Sequence, residues 1–202
     1  MKNTTMPARE GGRSTRGTLQ MLTICAMLVA MEIVLNRFLS INTAGWKIGF
    51  AFIPPMVAAM LYGPAMSACI YALSDVLGAL LFPIGPYHPG FTASAALMGI
   101  VCGVFLHTQP LLIFGSRAKW RSIKLFPNYL AVVTVNCILL GLFINTLWVS
   151  QLYGSKTYWG WFLYRLPEYA VMVPIQIAIM PILRKVCDML RLDGVVRVPG
   201  ER

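Results

Sequence analysis

Long apolar stretches alternate with short polar connections along this chain, and the pattern predicts six membrane-spanning helices. A helix that crosses a bilayer needs roughly 20 predominantly apolar residues. Runs of this kind lie at 19–35, 49–62, 65–82, 92–106, 129–149 and 161–183. The second and fourth runs are short, and the second contains Pro54-Pro55, so we expect steep, bent or partly non-spanning helices there. The pattern therefore predicts an all-α bundle of six transmembrane helices.

The composition supports a membrane protein. Of the 202 residues, 57% are hydrophobic and only 12% are charged, with a mean hydropathy of +0.68. Soluble globular domains carry about 25% charged residues. We therefore predict one integral membrane domain over residues 18–185, with a basic tail at 1–17 and a second tail at 186–202.

The basic residues predict the orientation of this bundle, because cytoplasmic loops collect lysine and arginine. Most of the 17 basic residues fall before the first run, between the fourth and fifth, or after the sixth. The four others are Arg37, Lys47, Lys156 and Arg165. We therefore expect both tails to be cytoplasmic. The net charge of +10 follows mainly from this topology, and the scattered basic residues do not favour nucleic-acid binding.

Sequence motifs for catalysis and for nucleotide or metal binding are missing. The chain contains no G-x-x-x-x-G-K-[ST], H-E-x-x-H or G-x-S-x-G motif. Its five cysteines have none of the spacings of a metal site or a disulfide framework, so we expect them to pack as small apolar side chains. We predict that the protein is not an enzyme and has no cofactor or metal.

The polar residues of the apolar runs gather toward the side opposite the tails. Ionisable residues inside a bilayer are costly and mark function when they line a cavity. Glu32 is one of these ionisable residues, but we do not include it among the candidate substrate-binding residues. The candidate substrate-binding residues are Arg37, Asn42, Trp46, Lys47, Asp75, Phe82, Tyr87, His88, Asn145, Trp148, Arg165 and Glu168.

A cavity with carboxylates, cations and aromatic side chains suits a planar heteroaromatic ligand with an anionic tail. The connection 82–92 contains three prolines and two glycines and resembles a pre-shaped lid. Structural alternatives remain open. Arg165 and Glu168 have the spacing of an ion pair within one helix, Asp75 can form an interhelical hydrogen bond, and Trp148 can belong to an interfacial aromatic belt.

The order of several short strings resembles the substrate-binding S components of energy-coupling-factor (ECF) vitamin transporters, and most closely the folate-specific ones. The resemblance covers about residues 19–183. It rests on Arg37-Phe38-Leu39-Ser40-Ile41, Lys47-Ile48-Gly49-Phe50, Ser74-Asp75-Val76-Leu77-Gly78-Ala79, the 82–92 connection, Asn145-Thr146-Leu147-Trp148, Tyr153-Gly154, Arg165-Leu166-Pro167 and Pro174-Ile175-Gln176.

The resemblance implies a folate-binding subunit that captures the vitamin outside a prokaryotic cell. Its implied partners are a transmembrane coupling protein and two cytoplasmic ATPases. Family members dock through an A-x-x-x-A motif in the first helix, here Ala26 and Ala30. Ala68 and Ala72 repeat this spacing, as do Gly99 and Gly103, and we expect these two pairs to pack inside the bundle.

Other functions remain open on the sequence. An S component for the hydroxymethylpyrimidine precursor of thiamin or for pantothenate is one alternative. A non-transport membrane scaffold is another, although a scaffold has no need for polar groups gathered at one depth. A self-sufficient secondary carrier is disfavoured, because no inverted repeat is visible.

Overall fold

Six helices and a short hairpin make up the described part of the chain. The computed structural model describes residues 11–42, 47–83, 85–107, 126–154 and 156–192. The elements are α1 (Gly11–Arg37), β1 (Ile41–Asn42), β2 (Lys47–Ile48), α2 (Ile53–Tyr62), α3 (Pro64–Leu81) and α4 (Pro89–Leu106), then α5, in three consecutive segments (Phe126–Val133, Thr134–Ile144 and Asn145–Tyr153), and α6 (Tyr158–Leu192).

Large apolar side chains cover the outside of this bundle, and several polar ones lie inside. Met27 and Leu80 are 68% and 73% exposed, whereas Glu32, Arg165 and Glu168 are each less than a tenth exposed. Five helices are long and apolar enough to cross a membrane, namely those at Thr18–Arg37, Pro64–Leu81, Pro89–Leu106, Phe126–Tyr153 and Tyr158–Leu190. An apolar exterior around polar interior groups is the arrangement that a lipid environment favours.

Helix α2 is too short to cross a bilayer alone. Its 10 residues extend about 15 Å at 1.5 Å per residue, half of the roughly 30 Å hydrocarbon core. Pro54 and Pro55 lie in its first turn, where a missing N–H breaks no helical hydrogen bond, so they start the helix and do not bend it. The expectation of a partly non-spanning second segment therefore agrees with the structure.

Helices α3 and α4 pack backbone to backbone through glycines. A Cβ added at Gly99 would lie 2.5 Å from Ala68 Cα, and one at Gly103 would lie 2.1 Å from Pro64 Cα. The side chains of Gly99 and Gly103 are therefore restricted to hydrogen by the neighbouring helix. The prediction that Gly99 and Gly103 pack inside the bundle is confirmed.

Helix α5 contains an 11-residue π-helical segment, Thr134–Ile144, in its middle. A π-helical segment changes which side chains face a neighbouring helix, and such segments occur often at functional sites. Helix α6 contains Pro167, Pro174 and Pro181 within its 35 residues, and all three face outward. The sequence pattern predicted neither the π-helical segment nor the full length of α6.

Two expectations about the fold need correction. Helix α4 begins at Pro89, since a proline at the first helical position and a cap from His88 extend it beyond the predicted start at 92, and it is not short. The fold also contains a short β-hairpin with two residues in each strand, in which Ile41 pairs with Ile48. The predicted tails beyond 11–192, Trp46 and the basic 117–124 cluster lie outside the described residues.

Candidate binding cavity

A cavity of about 410 Å³ lies within the end of the bundle that carries the hairpin. We call this the cavity end; the opposite end carries Gly63, His107 and Arg184. All six helices contribute to the cavity wall, and β2 supplies one side chain. Volumes of about 300–1,000 Å³ are usual for small-molecule sites. The lining includes seven of the predicted site residues, Arg37, Lys47, Asp75, Tyr87, Asn145, Arg165 and Glu168.

Two cations occupy one part of the wall. The guanidinium of Arg37 lies across α3 at Gly78, where an added Cβ would be 3.0 Å from Arg37 Nε. Lys47 is placed by the pairing of Asn42 with Lys47 in the hairpin. Gly78 leaves space on α3 for Arg37, and the hairpin brings Lys47 back to the same cavity. Two cations from separate segments therefore face one cavity, which suits a ligand with carboxylates.

The electrostatic environment of Lys47 is unusual for a loop lysine. Lys47 is exposed by accessible surface, and its side chain lines the cavity. Desolvation lowers the pKa of Lys47, and repulsion from Arg37 lowers it further, while attraction to Glu32, Asp75 and Glu168 acts in the opposite direction. Lys47 therefore loses its proton at a lower pH than an ordinary lysine does.

A chain of hydrogen bonds connects the outer loop to α3. Thr92 Oγ1 donates to Asp75 Oδ2 at 2.6 Å, and Tyr87 Oη lies 2.7 Å from Thr92 Oγ1. Since the Thr92 proton is directed to Asp75, the Tyr87 hydroxyl donates to Thr92. Asp75 thus forms the interhelical hydrogen bond considered above while it also lines the cavity.

Arg165 and Glu168 form a buried ion pair beside the cavity. Arg165 Nε lies 3.6 Å from Glu168 Oε2, and both side chains are less than a tenth exposed. Arg165 also donates through Nη1 to Thr146 Oγ1 at 3.1 Å and through Nη2 to Tyr169 Oη at 2.8 Å. The guanidinium therefore holds a carboxylate, α5 and a cavity-lining tyrosine in one arrangement.

The other predicted residues lie differently. His88 Nδ1 accepts from the Gly90 backbone N–H at 3.0 Å and caps α4, and its ring stacks on Trp148 with centroids 5.1 Å apart. Trp148 Nε1 donates to Ser94 Oγ at 3.0 Å. Phe82 packs against Phe38. None of His88, Trp148 and Phe82 is among the described lining residues, so they support the outer end of the bundle. The side chains of Asn42 and Trp46 lie outside the part of the chain that the structure describes.

Several lining residues were not recognised from the sequence. Asn136, Tyr169 and Gln176 face the cavity, as does Tyr71. Glu32 also lines it and accepts from Asn36 Nδ2 at 3.0 Å. Uncharged amides and tyrosines within apolar runs carry no strong sequence signal, whereas Glu32 had already stood out as an ionisable residue in a bilayer segment.

A bundle of apolar helices around a polar cavity at one end defines a class of protein, the membrane proteins that bind a small solute. The family model described as "ECF transporter, substrate-specific component" matches residues 20–184. The chain therefore belongs to the family of substrate-specific (S) components of ECF transporters. Members of this family are transporter components and not enzymes. The protein is a multi-pass membrane protein.

Relatives within this family are similar over most of their length. The folate transporter FolT of Clostridium novyi (strain NT) is 36% identical over 167 residues, which is 83% of this chain and 89% of the relative. The folate transporter FolT of Leuconostoc mesenteroides is 29% identical over 164 residues, 77% of this chain and 80% of the relative. A crystal structure of FolT bound with folic acid matches with a TM-score of 0.70 and 28% identity, covering 82% of this chain and 92% of that one.

Proposed function

We propose that this protein is the folate-binding S component of an ECF transporter. The observation that carries the proposal is one cavity that combines cations (Arg37 and Lys47) with carboxylates and tyrosines. Folate has a planar ring rich in hydrogen-bond donors and a tail with carboxylates, and both kinds of group find partners here. The names of the relatives and the folic acid bound to one of them support the same ligand.

The proposal includes a location and partners. We place the protein in the plasma membrane of a prokaryote with both termini cytoplasmic, so that the cavity end faces outward. Family membership supports docking to a transmembrane coupling protein that is driven by two ATPases. Ala26 and Ala30 are exposed on the outer face of α1, next to the exposed Met27, which suits a docking helix.

Equilibrium binding of folate to the purified chain in detergent tests the function. We expect tight, folate-selective binding over riboflavin, thiamin and pantothenate without any partner protein. Alanine at Arg37, Lys47 or Asp75 removes a side chain of the cavity wall, so we expect each to lower the affinity about tenfold. Alanine at His88 or Trp148 removes support from the outer loop and has a smaller effect.

The exposed Lys185, near the opposite end of α6, provides a matched control for these variants. Lys185→Ala removes a cation outside the cavity, so its folate affinity should equal that of the wild type. Unchanged affinity in all five alanine variants contradicts the proposed site, and absence of vitamin binding by the wild type contradicts the proposed function.

Folate binding should weaken at alkaline pH because Lys47 loses its charge early. Its pKa is lowered by burial and by Arg37, so the neutral form begins to accumulate below the ordinary lysine pKa, and a neutral amine attracts tail carboxylates less. Arginine stays charged across this range. We expect the dissociation constant of the wild type to rise with pH more steeply than that of Lys47→Arg; titration of folate itself is common to both proteins. Parallel pH profiles would show that Lys47 makes no charge contribution.

Bulky residues at Ala26 and Ala30 should uncouple uptake from binding. Both positions are exposed, so Ala26→Leu/Ala30→Leu leaves the cavity intact while it prevents close approach of a partner helix. We expect normal folate binding in detergent and loss of folate uptake in cells with the complete transporter. Reduced binding by the isolated double variant would mean that these alanines serve the fold.

A further inference from the structure

We propose that Gly141 is a positioning residue of the binding cavity and acts through Tyr169. Gly141 belongs to the π-helical segment of α5, Thr134–Ile144. Its missing side chain lets the tyrosine ring lie directly against α5, where Arg165 holds the ring and the cavity beside it stays open. This inference rests on the proposed function and adds a residue that sets the shape of the site without a functional group of its own.

The edge of the Tyr169 ring lies in the place that a side chain at position 141 would occupy. A Cβ added at Gly141 would lie 2.7 Å from Tyr169 Cε1 and 2.7 Å from Tyr169 Oη. Both distances are well below ordinary van der Waals contact, which for carbon atoms is about 3.5–4.0 Å. The next nearest atom, the backbone oxygen of Asn136, would be 3.0 Å away. Alanine at position 141 therefore competes with Tyr169 for the same space.

Arg165 fixes the tyrosine from the α6 side. Arg165 Nη2 donates to Tyr169 Oη at 2.8 Å, and Arg165 Cζ lies 5.4 Å from the centroid of the tyrosine ring. The same guanidinium donates through Nη1 to Thr146 Oγ1 on α5 at 3.1 Å. Hydrogen bonds from a charged donor are stronger than those between neutral groups. Tyr169 therefore has one preferred position, between the backbone of α5 and the guanidinium.

The π-helical segment explains why Gly141 and Thr146 both meet α6. The two residues are five positions apart, and the segment ends at Ile144 between them. In an ideal α-helix, residues five apart point in directions about 140° different, at 3.6 residues per turn. A π-helix forms i→i+5 hydrogen bonds, so residues five apart come closer to one face. Arg165 and Tyr169, four apart on α6, are the corresponding neighbours on the facing helix.

The open space beside Tyr169 is the cavity, because Gly141, Arg165 and Tyr169 all belong to its lining. A methyl group at position 141 would push the tyrosine ring away from α5 and into the volume that the ligand occupies. It would also separate Tyr169 Oη from Arg165 Nη2. The displaced group is a side chain that can move, whereas Gly103 faces backbone atoms of Pro64. The expected loss at position 141 is therefore in binding and not in folding.

A double-mutant cycle in folate binding, measured on the full chain in detergent, tests this role. We expect Gly141→Ala to weaken folate about tenfold. Its unfolding midpoint in denaturing detergent should stay close to that of the wild type, since alanine favours a helix over glycine. Tyr169→Leu lacks the atoms that lie against Gly141 and should also weaken folate about tenfold. Adding Gly141→Ala to Tyr169→Leu should change the affinity by less than about twofold, because the clash is gone.

Gly160→Ala is the matched control. Gly160 also lies in a helix, and an added Cβ there would approach nothing closer than 3.4 Å, so this variant should keep the wild-type affinity. Wild-type affinity in Gly141→Ala overturns the inference. An equal loss from Gly141→Ala in both backgrounds also overturns it, and so does a Gly141→Ala protein that fails to fold, since the glycine then serves helix packing. A wild type that does not bind folate instead overturns the proposed function itself.

Discussion

Arg165→Met will abolish tight folate binding and destabilise the protein by about 3–5 kcal/mol. The substitution leaves Glu168 as a buried carboxylate without its cation, and removal of one partner of a buried pair costs about this much. It also removes the hydrogen bonds to Thr146 and Tyr169, which fix cavity-lining and neighbouring side chains. We expect folate affinity to fall by about ten- to a hundredfold, since hydrogen bonds of charged groups contribute about 1.5–3 kcal/mol. Titration calorimetry and unfolding by denaturing detergent measure the two effects.

Two further variants separate stability from binding. Adding Glu168→Gln to Arg165→Met removes the unpaired charge, so the double variant should regain most of the stability and still bind folate weakly. Arg184→Met is the matched control: Arg184 is also buried on α6, where it pairs with Asp188 at 3.3 Å and donates to the Leu106 carbonyl at 2.9 Å, away from the cavity. We expect Arg184→Met to lose stability and keep its folate affinity. Tight binding by the double variant would exclude Arg165 from the site.

Gly103→Leu will prevent α3 and α4 from packing and will yield little monodisperse protein. Even a methyl group at this position would lie 2.1 Å from Pro64 Cα and 2.3 Å from Pro64 N, and backbone atoms cannot rotate away as a side chain can. Overpacking of a well-packed site costs about 1–3 kcal/mol, and we expect Gly103→Ala to lie in this range and leucine to exceed it. The midpoint of unfolding by denaturing detergent and the size-exclusion profile measure the loss.

Gly160→Ala provides the control for this prediction. Gly160 lies in the first turn of α6, where an added Cβ would approach nothing closer than 3.4 Å. Alanine favours helix by up to about 1 kcal/mol over glycine, so this variant should be as stable as the wild type or slightly more stable. A Gly103→Ala protein as stable as Gly160→Ala would mean that α3 and α4 separate easily, contrary to the packing described here.

The membrane class could be predicted because it depends on the total hydrophobicity of each run of residues. Transfer of apolar side chains into lipid is nearly additive along the chain, so runs of hydrophobic residues locate helices without knowledge of their neighbours. The same additive reasoning identified Glu32, Asp75 and Glu168 from the sequence, because a charge within an apolar run is costly in whichever direction its side chain points. All three of these carboxylates line the cavity, and Asp75 and Glu168 are among the seven predicted site residues found there.

Helix ends were less predictable, because local hydrogen bonds determine them. The 82–92 connection contains the turn residues of a loop, yet Pro89, Gly90 and Phe91 belong to α4. The His88 side chain caps this helix, and Pro89 fits at its first position because no helical N–H is needed there. The helix therefore starts earlier than hydropathy suggests. Stacking of His88 on Trp148 depends on a contact between α4 and α5, which no local pattern specifies.

The sequence by itself determined that this chain is a membrane bundle with scarce charges near one end, because hydropathy and charge act residue by residue. Only the tertiary structure decided that Asn136 and Gln176 line the same cavity as the charged residues. Their amides are uncharged, and the π-helical segment changes the helical phase of α5, so which side chains face inward depends on hydrogen bonding and packing between helices. Such cooperative contacts have no counterpart in a linear pattern of residue types.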